Sequence, residues 1–433
     1  MNVVSEGQQA IPRRRWMMGM LFGTGVLINY FDRVNLSIAI PALRKEFVLT
    51  DYQVGHLLGA FFPLYAICQI PTALILDRYG VKRVGRIGTF LWGVASTITA
   101  IAGGFSGVYI ARLMLGVAEA PAFPVSSKGT GYWFPRRERG LSTAIFDAAA
   151  KFSSVIGVPL VGFFVARWGW RSGFAMTAAL SFIYFIAYWV IYRDPSEDKK
   201  LTDLERTYIR EGGATPEGVA PASATGMLVY LLGQTKIWGL AIGFAAYGYS
   251  FYLFLTWLPG YFVKTMHMTI MQSAWTTTIP WLVATMTDII VGGWLVDYLI
   301  AGGWDGTRVR KTIFVIGMVL GLFLFGATQT TDPKWAVLWI SIALGGLGFA
   351  APVGWSLPSL IAPKGSVGTV GGIMNFANNV MGWLAPIVTG YIVGATNSFV
   401  GAFFTAGVIL LIGIVCFVFM LGKVEPIPEP GPG

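Results

Sequence analysis

Four ionisable residues stand inside strongly apolar stretches of this chain: Asp32 and Arg33 in the run that starts at Trp16, and Arg112 and Glu119 in the run from Gly107. A charge deep in a bilayer is costly enough that intramembrane ionisable residues usually mark function. Arg112 and Glu119 are seven residues apart, two helical turns, and share a face with Gly116 between them. Asp32 and Arg33 are neighbours and point about 100° apart around a helix, so each faces a different partner. Burial favours the neutral form of a carboxylate and a nearby arginine favours the charged form, so a carboxylate that alternates between water and enclosure can carry a proton. On this chemistry Asp32 and Glu119 take up protons from outside, Asp32 interacts with Arg112, and Arg33 holds a ligand carboxylate, for which guanidinium geometry is better suited than ammonium. The plainer alternatives are a self-neutralising Asp32–Arg33 pair and a purely structural Arg112–Glu119 lock.

The elements that must carry these residues follow from composition. Apolar residues make up 55% of the 433 and charged residues 12%, whereas a soluble domain keeps about a quarter of its residues charged. So little charge suits an outer face that meets lipid. The 55 glycines fit close helix packing in a bilayer, and the 16 Trp and 17 Tyr fit anchoring at headgroups. A bilayer core needs about 20 apolar residues per helix, which divides the chain at approximately 16–40, 55–76, 84–104, 107–128, 140–165, 171–192, 236–262, 272–299, 311–328, 335–360, 366–393 and 398–421. That makes an all-α membrane protein of twelve spans.

Arg33, Arg112 and Lys151 fall within spans; of the remaining basic residues, 22 lie on the side of the N-terminus and six on the other. The positive-inside rule then puts both termini in the cytoplasm, in a bacterial-type inner (plasma) membrane. The net charge of +10 sits in short clusters between apolar runs, which argues against nucleic acid as a partner. Cys68 and Cys416 lie in apolar runs and make no disulfide framework. With His56 and His267 as the only histidines and no paired-acid metal motif on a loop, neither a metal site nor enzyme chemistry can be assembled. Arg13-Arg14-Arg15 precede the first apolar run as in a leader, but no small-x-small cleavage site follows, so that run reads as an uncleaved first helix.

Residues 193–235 form the one long polar segment and read as a cytoplasmic linker, with a surface helix at Thr202 to Arg210, between a six-span bundle at 1–192 and a second at 236–433. The halves echo each other. Span two ends in Asp77-Arg78-Tyr79-Gly80-Val81-Lys82-Arg83, and span eight ends in Gly293-Trp294-Leu295-Val296-Asp297 with Arg308, Arg310 and Lys311 following. Two six-span repeats are a rocker-type transporter architecture.

The chain resembles the major facilitator superfamily, whose loop signature Gly-x-x-x-Asp-Arg/Lys-x-Gly-x-Arg/Lys-Arg/Lys is met by Asp77, Arg78, Gly80, Lys82 and Arg83, with Ala73 at the first glycine. Within it, the chain resembles the anion:cation symporters, which include bacterial galactonate, glucarate and hexuronate carriers. That likeness rests on Asn29-Tyr30-Phe31-Asp32-Arg33-Val34-Asn35, Phe62-Pro63-Leu64-Tyr65, Arg112-x-x-x-Gly116-x-x-Glu119-Ala120 and Asn375-x-x-Asn378-Asn379. It implies proton-coupled symport of an organic anion, a sugar acid or related carboxylate, into the cell by a monomer, with protons as coupling ion and no other cofactor. Alternatives are an organic or inorganic anion exchanger, a dicarboxylate or aromatic-acid symporter, and a sensor that binds without transport. Tyr65, Trp355, Ser356, Asn378 and Asn379 are candidate contacts for ligand hydroxyls and carboxylate, the aromatics having packing as their alternative.

Span five departs from the sugar-acid pattern Asn-x-x-Gln. Its run is Phe146-Asp147-Ala148-Ala149-Ala150-Lys151, with Ala150 at the Gln position. Asp147 and Lys151 are spaced to neutralise one another on a helix; alternatively Lys151 is a second cationic anchor, suited to a dicarboxylate or a less hydroxylated ligand. Asp288 in span eight reads as structural or gating. A thermal-shift or uptake screen of sugar acids, aromatic acids and dicarboxylates, with Lys151→Gln beside wild type, tests the anchor. If Lys151 selects the ligand, the two proteins rank the panel differently; identical ranking removes that role.

Overall fold

The structure, a computed structural model, describes residues 11–135, 138–215, 217, 225–364 and 366–429, without the side chains at 70, 73, 140, 143, 144, 225 and 226. Arg136 and Arg137, two of the 22 basic residues counted on the side of the N-terminus, and the side chain of Ala73 fall outside that description. The N-terminal half comprises α1 (Arg14–Phe47), α2 (Asp51–Gly59), α3 (Phe61–Ala100), α4 (Phe105–Glu119), α5 (Ala122–Trp133), α6 (Arg139–Trp168) and α7 (Trp170–Ile191). Two short helices follow, α8 (Asp203–Glu211) and α9 (Thr225–Leu232). The second half comprises α10 (Thr235–Thr265), α11 (Ile270–Thr287), a π-helical segment Asp288–Leu295, α12 (Val296–Ala301), α13 (Gly306–Gly321), a 3₁₀ segment Leu322–Gln329, α14 (Pro333–Ile361), α15 (Val367–Thr396) and α16 (Val400–Met420).

These elements give twelve spans in two six-helix bundles. Span two is α2 with the start of α3, and span three is the rest of α3; they part at Gly80, whose φ of 77° and ψ of 167° leave the helical region. Spans four, eight and nine are built from consecutive pieces. Eight continuous helical stretches among the described residues, three of them made of consecutive pieces, are long and apolar enough to cross a membrane. α1 and α15 are not among them, because they carry the polar residues: Asn29, Asp32, Arg33 and Asn35 on one, Asn375, Asn378 and Asn379 on the other. α1 is nonetheless buried almost all round from Val26 to Ile40, as a helix at the centre of a bundle must be.

A second mark of the repeat lies at the start of spans two and eight. Thr50 caps α2 in a reciprocal box with Gln53, and Thr269 caps α11 in the same box with Gln272. Each box satisfies two backbone donors that a helix start would otherwise leave orphaned. The expected surface helix is α8, capped by Thr202 at the Glu205 amide. Its Glu205 holds Arg15 at 3.0 Å, Arg15 also reaches Glu138 at 2.7 Å, and Arg14 reaches Asp198 at 2.9 Å. The arginines that open α1 thus tie the first helix to the segment between the halves.

The halves meet along a seam of α1 with α10, α2 with α15 and α6 with α11. At the end bearing residues 48–50 the seam is tight. Asp51 pairs with Arg44 of its own half and, at 3.0 Å, with Lys264 of the other. Tyr52 packs edge-on against Tyr391, and the Gly55 and Gly390 backbones come into direct contact.

The conformation at Gly80 is one that only glycine adopts at low cost; other residues lose about 1–3 kcal/mol there. Gly80→Ala is therefore expected to lower the unfolding temperature of the detergent-purified protein, although no atom lies within 4 Å of the added Cβ. An unchanged unfolding temperature would show that the loop does not need this conformation.

Candidate functional site

α1 and α4 bring the four sequence-predicted charges together through one close approach. A Cβ on Gly116 would sit 2.3 Å from the Phe61 carbonyl oxygen and 3.1 Å from the Tyr65 nitrogen. The absence of a side chain therefore lets α4 rest on the backbone of α3 midway between Arg112 and Glu119. Arg33 donates from Nε to Glu119 Oε2 at 3.2 Å, both side chains being almost wholly buried. Its guanidinium is caged by three rings, Tyr30, Phe61 and Tyr65, at 4.6, 4.6 and 4.7 Å, a desolvated cation–π setting.

Asp32 turns the other way, as adjacent helical residues must. Its carboxylate accepts hydroxyl hydrogen bonds from Ser96 at 2.7 Å and Ser181 at 3.2 Å. Arg112 does meet Asp32, but at its backbone carbonyl, 2.9 Å from Nη1, rather than at its carboxylate. Neither of the plainer pairings is formed: Arg33 pairs with Glu119 across two helices, not with Asp32, and Arg112 does not pair with Glu119. Arg33 Nη2, Arg112 Nε and Glu119 Oε1 are buried with no hydrogen-bond partner in the protein. Native interiors leave few such atoms, so their gathering at one place marks a polar site.

The second half supplies the opposite wall. Tyr252 of α10 packs edge-on against Phe62, 4.6 Å between ring centres, and accepts a long 3.5 Å contact from Asn378 Nδ2 on its hydroxyl. Asn379 Nδ2 bonds back to Asn375, at 2.8 Å to its carbonyl and 3.1 Å to its side chain. The Oδ1 atoms of Asn378 and Asn379 are both buried and unbonded. Trp355 is set apart: its ring packs against Phe244 and remains 41% exposed. Ser356 spends its hydroxyl on the Val353 carbonyl, 2.7 Å away on its own helix.

Lys151 is buried and doubly engaged. It donates to Asp147 at 2.9 Å, the expected spacing of one helical turn, and lies 3.0 Å from Asp288 across the seam. A ligand carboxylate would have to displace one of these acids. Ala150 packs with Val26, Tyr30 and Phe146 in a small apolar cluster. In the signature loop Asp77 pairs with Lys128 at α5, Arg78 lies over the Tyr79 ring at 5.4 Å, and Arg83 is exposed. Lys82 pairs with Glu197 and holds its carboxyl below the usual carboxylate range. Asp297, the counterpart of Asp77, is exposed and has no ion pair among the described residues. The repeat is therefore closer in pattern than in contacts. Sequence reasoning missed Ser96, Ser181, Tyr247 and Tyr252, whose only signal is a hydroxyl inside an apolar run.

Twelve helices in two bundles, with buried charges of both signs where the bundles meet, define a secondary transporter. The Major Facilitator Superfamily model matches residues 22–386, and the chain belongs to that family: it is a multi-pass membrane transporter and not an enzyme. It is 40% identical to the uncharacterized transporter YybO of Bacillus subtilis over 95% of each chain. It is 30% identical to the D-galactonate transporter of Escherichia coli O6:H1, over 95% of this chain and 97% of that one. Among solved structures, a D-xylose-proton symporter superposes with a TM-score of 0.70 at 17% identity, over 95% of this chain and 98% of that one.

Ser96→Ala takes the shorter hydroxyl bond from the buried Asp32 carboxylate, and an unsatisfied buried acceptor costs about 1–3 kcal/mol. It should lower the unfolding temperature more than Ser181→Ala, whose bond to Asp32 is longer and which also bonds the Thr177 carbonyl. The reverse ranking would mean that Asp32 does not depend on Ser96.

Proposed function

We propose that the chain carries an organic monocarboxylate, a sugar acid or a close relative, into the cell together with protons. It does so by alternating access across a bacterial plasma membrane, as a monomer with both termini inside. The observation that carries this reading is the buried Arg33–Glu119 pair at 3.2 Å. A guanidinium held by a protein carboxylate is closed to a substrate carboxylate until that partner loses its charge. A proton on Glu119 does this: it removes the negative charge, loosens the ion pair and frees the Arg33 fork for a bidentate contact. Substrate and proton then arrive together, which is symport.

Asp32 is the second proton carrier, set one residue from Arg33 and touching Arg112 through its own carbonyl. Tyr65 and the Oδ1 atoms of Asn378 and Asn379 are placed to meet substrate hydroxyls. Trp355 and Ser356 stand further along α14 as secondary contacts. The single carboxylate is favoured because, of the two other buried cations, Lys151 already serves two acids and Arg112 is turned to the Asp32 carbonyl. The relative that transports D-galactonate, a polyhydroxylated monocarboxylate, supports the same class. The seam is tight at the end that the basic-residue count places outside, so the arrangement described is one closed to the exterior, with Asp51, Arg44 and Lys264 in the closure.

In proteoliposomes with D-galactonate as first probe, acidifying the outer medium should speed uptake. Glu119→Gln should keep substrate counterflow while losing proton-driven accumulation. Arg33→Lys should weaken binding by about tenfold or more, the scale of a charge-assisted bond. Asp32→Asn and Glu119→Gln both retaining proton-driven uptake would falsify the coupling assignment.

A further inference from the structure

Counting charges across the buried site leaves a surplus. Asp32, Glu119, Asp147 and Asp288 face Arg33, Arg112 and Lys151. The first-half group of Asp32, Arg33, Arg112 and Glu119 is balanced by itself. The surplus negative charge therefore belongs to the Asp147–Lys151–Asp288 cluster, where one ammonium stands between two carboxylates. An isolated charge in a low-dielectric interior is too costly to leave uncompensated, and the cluster must be neutral before the cavity accepts an anion.

The geometry says which acid is left over. Asp147 lies one turn from Lys151 on α6, is 32% exposed, and accepts a directed 2.9 Å hydrogen bond from it. Asp288 is 7% exposed; its Oδ1 forms a salt bridge with Lys151 Nζ at 3.0 Å that lacks the alignment of a directed hydrogen bond, and no other described group bonds that oxygen. Asp288 is thus the acid with less water and no directed bond. It also opens the π-helical segment Asp288–Leu295, and single π turns inside α-helices are frequent at functional sites. Among the described residues no second cation pairs with either acid. Tyr247 of α10 and Tyr30 of α1 face the cluster with their phenol groups. α14, which packs along the π segment, has Lys334 in its first turn as its sole ionisable residue.

We propose that Asp288 is a proton-binding residue of this protein: its carboxyl holds a proton while the two halves are closed on Lys151, and exchanges it with water when the seam opens. The proton site so formed lies between the halves, separate from Asp32 and Glu119, and its occupancy is tied to the seam because Lys151 and Asp288 come from opposite sides of it. Its place in a transport cycle rests on the proton-coupled reading above, but its existence does not.

Infrared titration of the purified protein in lipid nanodiscs tests this without any substrate. In an Asp32→Asn/Glu119→Gln background the carboxyls that remain within the spans are Asp147 and Asp288, Asp77 and Asp297 standing at the ends of spans two and eight. A protonated-carboxyl C=O band is expected at neutral pH, shifted by deuterium exchange, lost when Asp288→Asn is added and kept when Asp147→Asn is added. Lys151→Gln, which leaves Asp288 in place, should strengthen the band, and it keeps the test readable if the Asp288 variant does not fold. The proposal is overturned if no such band is present, as when both acids stay ionised or hold a metal cation. It is equally overturned if the band follows Asp147, or does not grow in Lys151→Gln. Should D-galactonate prove not to be cargo, the infrared outcome is unaffected.

Discussion

A bilayer offers no water to a buried charge, and that single constraint organises this molecule. Each charged side chain placed inside must find an opposite charge, a ring of donors or an aromatic face. Many of these partners sit on a different helix. Arg33 joins α1 to α4 through Glu119 and to α3 through the Phe61 and Tyr65 rings. Asp32 joins α1 to α3 and α7 through Ser96 and Ser181. Removing one partner from a buried pair costs about 3–5 kcal/mol because the other charge is stranded. The charges are therefore fixtures that set helix positions in the first half.

The same economy explains why the site lies where it does. The halves touch along α1–α10, α2–α15 and α6–α11, and the buried charges of the site lie on α1 and α6, on α4 beside them and on the π segment that follows α11, rather than on α7 or α16, which are among the most apolar spans and show large side chains such as Trp189 and Phe419 on the outside. At one end the seam is closed by backbone contact and by Asp51 between Arg44 and Lys264. In the middle it is crossed by Lys151 and Asp288. Two ionic crossings at different depths give the seam points that can break separately, as alternation between two packed arrangements requires.

The first and second halves share topology but divide labour. Both begin their second span with a Thr-x-x-Gln capping box, yet Asp77 is paired and Asp297 is not. Arg33, Arg112 and Glu119 have no charged counterparts in the second half, which contributes Tyr252, Asn378 and Asn379 instead. Asp288 apart, the buried charges of the site lie in one half and the amide and phenol hydrogen-bonding groups in the other.

Membrane class, the twelve spans, the surface helix after Thr202 and the roster of buried charges were legible in the sequence, because each follows from local composition: apolar length, basic clusters, a capping residue, a charge where none is affordable. Even the Asp147–Lys151 pair could be read from helical spacing. Partner choice could not. That Glu119 holds Arg33 rather than Arg112, that Asp32 rests on two serines, and that Asp288 reaches Lys151 from the other half all depend on which helix faces are brought into contact. Those contacts are set by close approaches such as Gly116 on Phe61, between residues dozens to more than a hundred positions apart, and only the packed tertiary structure decides them.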